Sequence, residues 1–407
     1  MAHPVRILDI SPLLPFPPRD GGRKSVYYPI RELVSRGHTI RFCCLAERED
    51  PAAIREMERL CALDVVISPK APTAAGAIQS LGRTVPYDLS RFHSPRLLEV
   101  VRRRVREEQF DVIQVEGIHA AYYGLELRRD THLPMVMRVH NVQSLNMARA
   151  LRTIRNPFVR AWLLLDTARI RRYERRVHGL FESNMVVSRE ERETLIAQNP
   201  AVRCDVVPMG VDLGEFAPRN VPEEPGTVLW MGALNWPPNR ESFWWFYREI
   251  VPLLAGRMPG VKIKIAGNRP PADILAVRHP NVEILGFVDD IADLMARSQV
   301  CVVPLQAGSG VRVKLLEMFA MGRPVVTTRI GCEGLDVEDG VQAVLADSAG
   351  AFASAVADLL LDPNRRWKLG AAALAHVRAR YSWQSVASQY EVVYRAAIAR
   401  DAGGGGQ

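Results

Sequence analysis

The 407-residue sequence lacks any apolar run approaching the ~20 residues that cross a bilayer; the nearest, Ala161 to Leu165, is stopped by Asp166 and followed by arginines. A transmembrane protein is excluded on this reading. The first strand pattern, Val5 to Ile10, follows no charged start, long apolar region or small-residue cleavage site, so no secretory signal is expected and cytoplasmic residence is. Cys43, Cys44, Cys61, Cys204, Cys301 and Cys332 include no C-x-x-C pair, and most lie in apolar strand-like runs. Reduced cysteine packs there as a small hydrophobe, so a structural role is expected. No histidine cluster has ligand spacing, and no bound metal or other cofactor is expected. The net charge of +8 suits anionic partners, but no recognised nucleic-acid module accompanies it, so nucleic acid is not among them.

What is present is the material of two globular domains. Hydrophobic residues make up 48% and charged residues 24%, and a single core stops growing near roughly 250–300 residues. Short β-branched runs alternate with helix-period segments. Ile40–Leu45, Asp64–Ser68, Asp111–Val115, Met135–Val139 and Asn184–Val187 are followed later by Val228–Met231, Lys262–Ala266, Val282–Leu285, Val300–Pro304 and Pro324–Thr328. Many are apolar throughout, as in parallel strands covered on both faces. The fold class expected is α/β, with two doubly wound Rossmann-like domains. Val206 to Asp212 and the proline-rich stretch to Pro225 mark a linker. The expected N-terminal domain is 1–206 and the C-terminal domain 207–383, with a helix at about 384–400 packing back on the first and 401–407 a disordered tail. Ligands bind outside the carboxyl ends of such sheets, so two domains facing each other would place the chemistry in a cleft.

The most informative segment runs from Cys301 to Val326 and reads as strand, glycine turn, helix, glycine, strand. Gly308 and Gly310 let backbone amides approach a ligand, and a helix N-terminus favours an anion such as phosphate. Arg312 and Lys314 add two cations at the end where the helix dipole disfavours them unless an anion compensates. Glu317 lies among Leu315, Leu316, Met318 and Phe319; a buried carboxylate needs a cation or a hydroxyl donor, and ribose supplies the latter. An ordinary turn with Glu317 paired to Lys314 or Arg323 is the competing reading. A dinucleotide fingerprint is disfavoured, because the third glycine is absent and no acidic residue ends the next strand.

These residues resemble the retaining glycosyltransferases of the GT-B fold, family 4 type. Glu317 matches the second of two glutamates eight positions apart in that family, and Ala320 to Val326 matches the alanine-x-glycine-x-proline-valine strand after it. The resemblance implies that Glu317 holds the nucleotide ribose. Ser309 stands where the first glutamate usually does. The glycine-serine-glycine turn and Lys314 look closer to a subgroup found in exopolysaccharide assembly. After Gly232 the family usually has arginine, and before Asn239 lysine; this chain has Ala233 and Pro238, so Arg312 and Lys314 are expected to substitute in gripping the diphosphate. Val207 to Asp212 resembles the family's interdomain linker, and Gly286 to Asp290 its turn into a short helix. Asp289 and Asp290 are read as helix-start residues, and no paired aspartates of the metal-binding transferase type are present.

By the same resemblance, Gly21 and Gly22, ahead of the helix-like run from Val26, form a glycine-rich loop against phosphate or sugar. Glu116 stands where the family places a histidine, and His119 follows three residues on. Arg138 and His140 end the next strand, and Ser188 closes the same rim, with a helix cap as its alternative. The expected catalytic residues are His119, Glu116 and His140. The expected donor contacts are Gly21, Gly22, Arg138, Ser188, Gly232, Gly308, Ser309, Gly310, Arg312, Lys314 and Glu317. The implied function is metal-independent, retaining transfer of a hexosyl-type sugar from a UDP- or GDP-linked donor to a glycan or lipid-linked acceptor in polysaccharide or cell-surface glycan synthesis. Arginines crowded between Arg149 and Arg176 read either as a solvated helix face or as peripheral contact with an anionic inner membrane face. A non-catalytic partner subunit and a nucleotide-sugar epimerase of the same fold are the alternatives.

Overall fold

The structure is a computed structural model describing residues 4–69, 85–151, 156–308 and 310–404. The chain divides into two units, Met1–Pro208 with Val386–Gln407, and Met209–Ser385. The first unit is built on β1 (Arg6–Ser11), β2 (Thr39–Ala46), β3 (Ala62–Ile67), β4 (Val112–Glu116), β5 (Met135–Arg138), β6 (Ser183–Val186) and β7 (Cys204–Val206). They form one sheet in the order β3-β2-β1-β4-β5-β6-β7, parallel throughout. Leu8, Ile10, Cys43, Leu45, Ile113 and Val115 all enter one core with Leu97, Val101 and Tyr123.

The second unit repeats the plan. Its strands are β8 (Glu224–Met231), β9 (Lys262–Ala266), β10 (Val282–Gly286), β11 (Ser298–Val303), β12 (Val325–Thr327) and β13 (Val344–Leu345). The order is β10-β9-β8-β11-β12-β13, again parallel. Trp230, Phe243, Phe246, Ile265 and Phe352 fill its core. The strand order reverses between β1 and β4 in one sheet and between β8 and β11 in the other. Such a reversal leaves an opening outside the carboxyl ends of the two diverging strands, because their connections leave in opposite directions.

Strands β7 and β13 are absent from the sequence reading. Each is a short edge strand, of three and two residues, held by one neighbour. The helix Trp383–Gly404 takes in residues 401–404 of the expected tail; an established helix adds a residue at far lower cost than it takes to start one. Residues 405–407 lie outside the described residues.

No disulfide joins any of the six cysteines. Burial pushes the Cys301 thiol up to about 12 and the Cys61 thiol to about 12, which keeps both protonated and unreactive. Among the described residues no helix is long and apolar enough to cross a membrane.

One close approach in the second unit sets a strong sequence constraint. Gly370 lies inside the helix Pro363–Arg380, and a methyl group there would sit 2.1 Å from the carbonyl oxygen of Gly322. Helix propensity alone favours Gly370→Ala by about 1 kcal/mol. Backbone cannot yield as a flexible side chain can, and overpacking costs about 1–3 kcal/mol. Gly370→Ala should therefore lower the melting temperature, read by calorimetry or circular dichroism; a rise would show that the helix simply moves away.

Candidate active site

In the second unit, the carboxyl end of β8 delivers Gly232, and the loop after β11 delivers Gly308, Gly310 and Arg312. Lys314 is in the first turn of the helix Val313–Ala320. Its ammonium donates to the Met231 carbonyl at 3.0 Å and to Asn239 Oδ1 at 3.1 Å, and lies 5.2 Å from the centroid of the Trp230 ring. Asn239 is held in turn by donating Nδ2 to the Ala233 carbonyl. A side chain at 232 would begin 2.8 Å from Asn239 Nδ2 and 3.1 Å from Lys314 Nζ, so glycine is what admits the lysine there.

Burial lowers the Lys314 pKa to about 7, the Arg312 guanidinium pushes it in the same direction, and Glu317 opposes them. Arg312 is buried and donates to the Gly310 carbonyl at 2.6 Å. Its Nη2 lies where a side chain on Gly308 would begin, 2.8 Å away, at a glycine with φ of 133°. Glu317 is 6% exposed on the same short helix. Arg323, the alternative partner for Glu317, donates to Glu223 and to the Ala296 carbonyl. The structure thus brings Gly232, Gly308, Gly310, Arg312, Lys314 and Glu317 around one sheet opening. Ser309 lies outside the described residues.

The first unit assembles a polar cluster at its own switch point. Side chains two apart on a strand share a face, so Gln114 and Glu116 of β4 point together, and Asp9 of β1 is in register with Gln114. Gln114 Nε2 donates to Glu116 Oε1 at 2.5 Å and to Asp9 Oδ2 at 3.3 Å. With both amide hydrogens spent on carboxylates, its oxygen must accept, and it does so from the Tyr394 hydroxyl.

Glu116 Oε2 is 2.7 Å from His140 Nε2, while His140 Nδ1 is 2.9 Å from Ser25 Oγ. The Ser25 hydroxyl hydrogen goes to the Gly22 carbonyl at 2.7 Å. Ser25 therefore accepts from Nδ1–H, which leaves Nε2 facing the Glu116 carboxyl. Gly117 is backed against the His140 ring, 3.1 Å from where its side chain would start. Burial, together with the charge of Glu116, pushes the Asp9 carboxyl well above the usual carboxylate range.

Glu116 and His140 are thus brought together, and His119 is not part of their cluster. Its Nε2 lies 3.4 Å from Asp88 Oδ2 and its ring is edge-on to Phe92. Gly21 and Gly22 form the first two positions of the helix Gly21–Ser35, not a loop ahead of a helix from Val26. Asp20 caps that end by accepting from Arg23 N, which is why helix starts so early. Glycine amides at this position are among the four that a helix leaves unpaired.

Arg138 is a correction. It is 0% exposed, donates to the carbonyls of Val207 and Pro208, and lies over the Tyr390 ring. A guanidinium so enclosed anchors the chain leaving β7 and has no face left for a ligand. Ser188 is the cap of the helix Arg189–Gln198, accepting from Glu191 N at 3.2 Å, so its hydroxyl acceptor serves the helix.

Asp9, Ser25, Gln114, Asn239 and Tyr394 were missed by sequence reasoning. Asp9 and Gln114 had a signal, since each is a polar residue inside an otherwise apolar strand. Ser25 and Tyr394 had none, and Asn239 had only its place in the resembled motif after Gly232. Among the described residues, no group of three or more His, Cys, Asp or Glu side chains is placed to hold a metal ion.

Residues 19–215 match the family model described as Glycosyltransferase Family 4, and residues 225–362 that described as Glycosyl transferases group 1. An uncharacterized 44.6 kDa protein in the cps region of Klebsiella pneumoniae is 20% identical over 86% of this chain and 89% of its own length. The D-inositol 3-phosphate glycosyltransferase of Segniliparus rotundus is 30% identical over 48% of this chain and 47% of its own. Among solved structures, sucrose-phosphate synthase from Thermosynechococcus elongatus has a TM-score of 0.68 at 17% identity, covering 97% of this chain and 100% of that one. The Anabaena HepE protein in complex with UDP and glucose has a TM-score of 0.63 at 16% identity, covering 96% of this chain and 99% of that one.

Two pH dependences follow from the buried charges. The folded pKa of Lys314 lies below the unfolded value, so its burial weakens the ligand-free fold fully below pH 7, and the deficit fades as pH rises toward 10.5. Lys314→Met should raise the melting temperature by several degrees at pH 6 and by less at pH 9; a gain independent of pH would contradict the burial of charge. Asp9 has the opposite form, since a carboxyl raised in the fold weakens it increasingly above pH ~4. Asp9→Asn should add little at pH 4 and more at pH 8, by the same measurement.

Proposed function

We propose that this chain, a glycosyltransferase of the GT-B fold, transfers a hexosyl unit from a UDP- or GDP-linked donor to a glycan or lipid-linked acceptor, with retention and without a metal ion. The observation that carries the reading is the Lys314 ammonium set beside Gly232, on the same short helix as Arg312 and Glu317. A nucleotide diphosphate would supply an anion for this cation pair, and its ribose hydroxyls would donate to Glu317. The neighbour crystallised with UDP and glucose supports a UDP-linked donor.

Breaking the bond between sugar and diphosphate moves negative charge onto the leaving phosphate. Lys314, Arg312 and the amides of the glycine turn would stabilise that charge more as it grows than in the ground state, which is what accelerates a reaction. Their dipoles are already oriented and partly out of water, so little reorganisation accompanies the step. Glu116 and His140 would act on the sugar side. His140 Nε2, close to the Glu116 carboxyl, would exchange a proton with a sugar hydroxyl or phosphate oxygen. Ser25 and Gln114 hold the pair in orientation. A role in polysaccharide assembly accords with the glycine-serine-glycine turn and with the cps-region relative.

Thermal shift with a panel of UDP- and GDP-sugars tests the reading directly. At a ligand concentration 100 times Kd the fold gains about 2.7 kcal/mol, and the wild-type chain should respond to a UDP-sugar. Glu317→Ala should abolish the response while the ligand-free melting temperature stays within a few degrees. Release of UDP dependent on an added acceptor marks a transferase, whereas interconversion of the donor sugar without acceptor would sink the transfer reading. An undiminished response in Glu317→Ala would remove the ribose assignment.

A further inference from the structure

The helix Pro157–Val177 is not used by the site. At 3.6 residues per turn, Leu164, Leu165, Arg171, Arg172, Arg175 and Arg176 fall on one side. All six are exposed, the leucines by 54% and 50%. Its only two acidic residues, Asp166 and Glu174, are buried on the other side. Asp166 faces Arg169 at 3.4 Å, and Glu174 accepts from the Ser144 amide. The outward side is therefore apolar toward its start and purely cationic toward its end. Arg175 Nε donates to the Gln198 carbonyl, which tethers that arginine without neutralising it.

We propose that this helix face docks the chain on an anionic lipid bilayer. A solvated helix face has no use for two adjacent half-exposed leucines, which lose apolar hydration only when something covers them. Nucleic acid would take the arginines and leave the leucines in water. A bilayer surface offers both contacts in the right pattern, acyl chains for the leucines and headgroup phosphates for the arginines. The absence of any carboxylate on the face removes the repulsion that would otherwise oppose an anionic surface. Because the face shares no residue with the Lys314 and His140 clusters, this inference stands or falls independently of the donor reading.

The test is co-sedimentation of the full chain with vesicles of mixed phosphatidylglycerol and phosphatidylcholine, and with phosphatidylcholine alone. Wild type should partition to the anionic vesicles, weakly or not to the neutral ones, and should be released as salt rises. Removing one arginine charge should weaken partition about fivefold, so R171Q/R172Q should lose about 25-fold. L164Q/L165Q should lose binding too. All four positions are exposed, so each variant should keep the wild-type melting temperature. No partition by wild type overturns the proposal. So does equal binding to both vesicles, and so does wild-type binding by either variant. Binding that survives in L164Q/L165Q would mean that a diffuse charge, not this face, attracts the chain.

Discussion

An ammonium group withdrawn from water is costly unless dipoles or an anion replace its hydration, and the second unit is arranged around one such group. Lys314 is offered neutral oxygens, from Met231 and Asn239, and the face of Trp230. These hold it in place without cancelling its charge. Nearly every local feature then follows. Gly232 has no side chain because Nζ and Asn239 occupy that space. Gly267 has none because a methyl there would lie 2.0 Å from the Gly232 carbonyl oxygen. The glycines that look like loop punctuation in sequence are space left for a cation and its frame.

The first unit poses the same problem with the sign reversed. Asp9 and Glu116 are buried side by side, where two ionised carboxylates would repel each other. The solution combines one amide shared by both, an imidazole on the far oxygen of Glu116, and a raised pKa on Asp9. It also explains the path of the chain, which leaves this unit after Pro208 and returns at Val386. The returning helix brings Tyr394 to Gln114 and Tyr390 to Arg138. Glu391 from the same helix meets Arg36 at 2.9 Å and His38 at 3.1 Å. Without that helix the amide oxygen of Gln114 would be a buried acceptor with no donor.

The parallel sheets could be read from sequence because burial on both faces writes itself as uninterrupted apolar runs. The glycine turn and Glu317 were legible for a related reason, being groups that apolar surroundings make conspicuous. Arg138 was misread on the same logic. It too is a charge at a strand end, but its guanidinium is consumed by two backbone carbonyls from a segment some 70 residues on, and only tertiary structure reveals that. His119 and His140 illustrate the matching limit. Both follow a strand, and what separates them is whether the facing element brings Asp88 or Glu116. Ser25 and Asn239 act by holding other side chains, a role with no signature in spacing.

Where the resembled family carries arginine and lysine around the loop after β8, this chain carries Ala233 and Pro238. The structure gives that exchange a physical rationale. Pro237 and Pro238 open the helix Pro237–Trp245, and proline presets the backbone angle of a first helical turn. That stiffness fixes Asn239, whose Nδ2 is committed to the Ala233 carbonyl and whose Oδ1 is thereby turned toward Lys314. Two long, mobile cations are replaced by a rigid acceptor for one lysine from a different helix. Additional permanent charge on this loop would press against Lys314 and Arg312 and drive the lysine further toward its neutral form. A neutral loop is the arrangement under which a partly buried lysine retains enough basicity to be charged when an anion arrives.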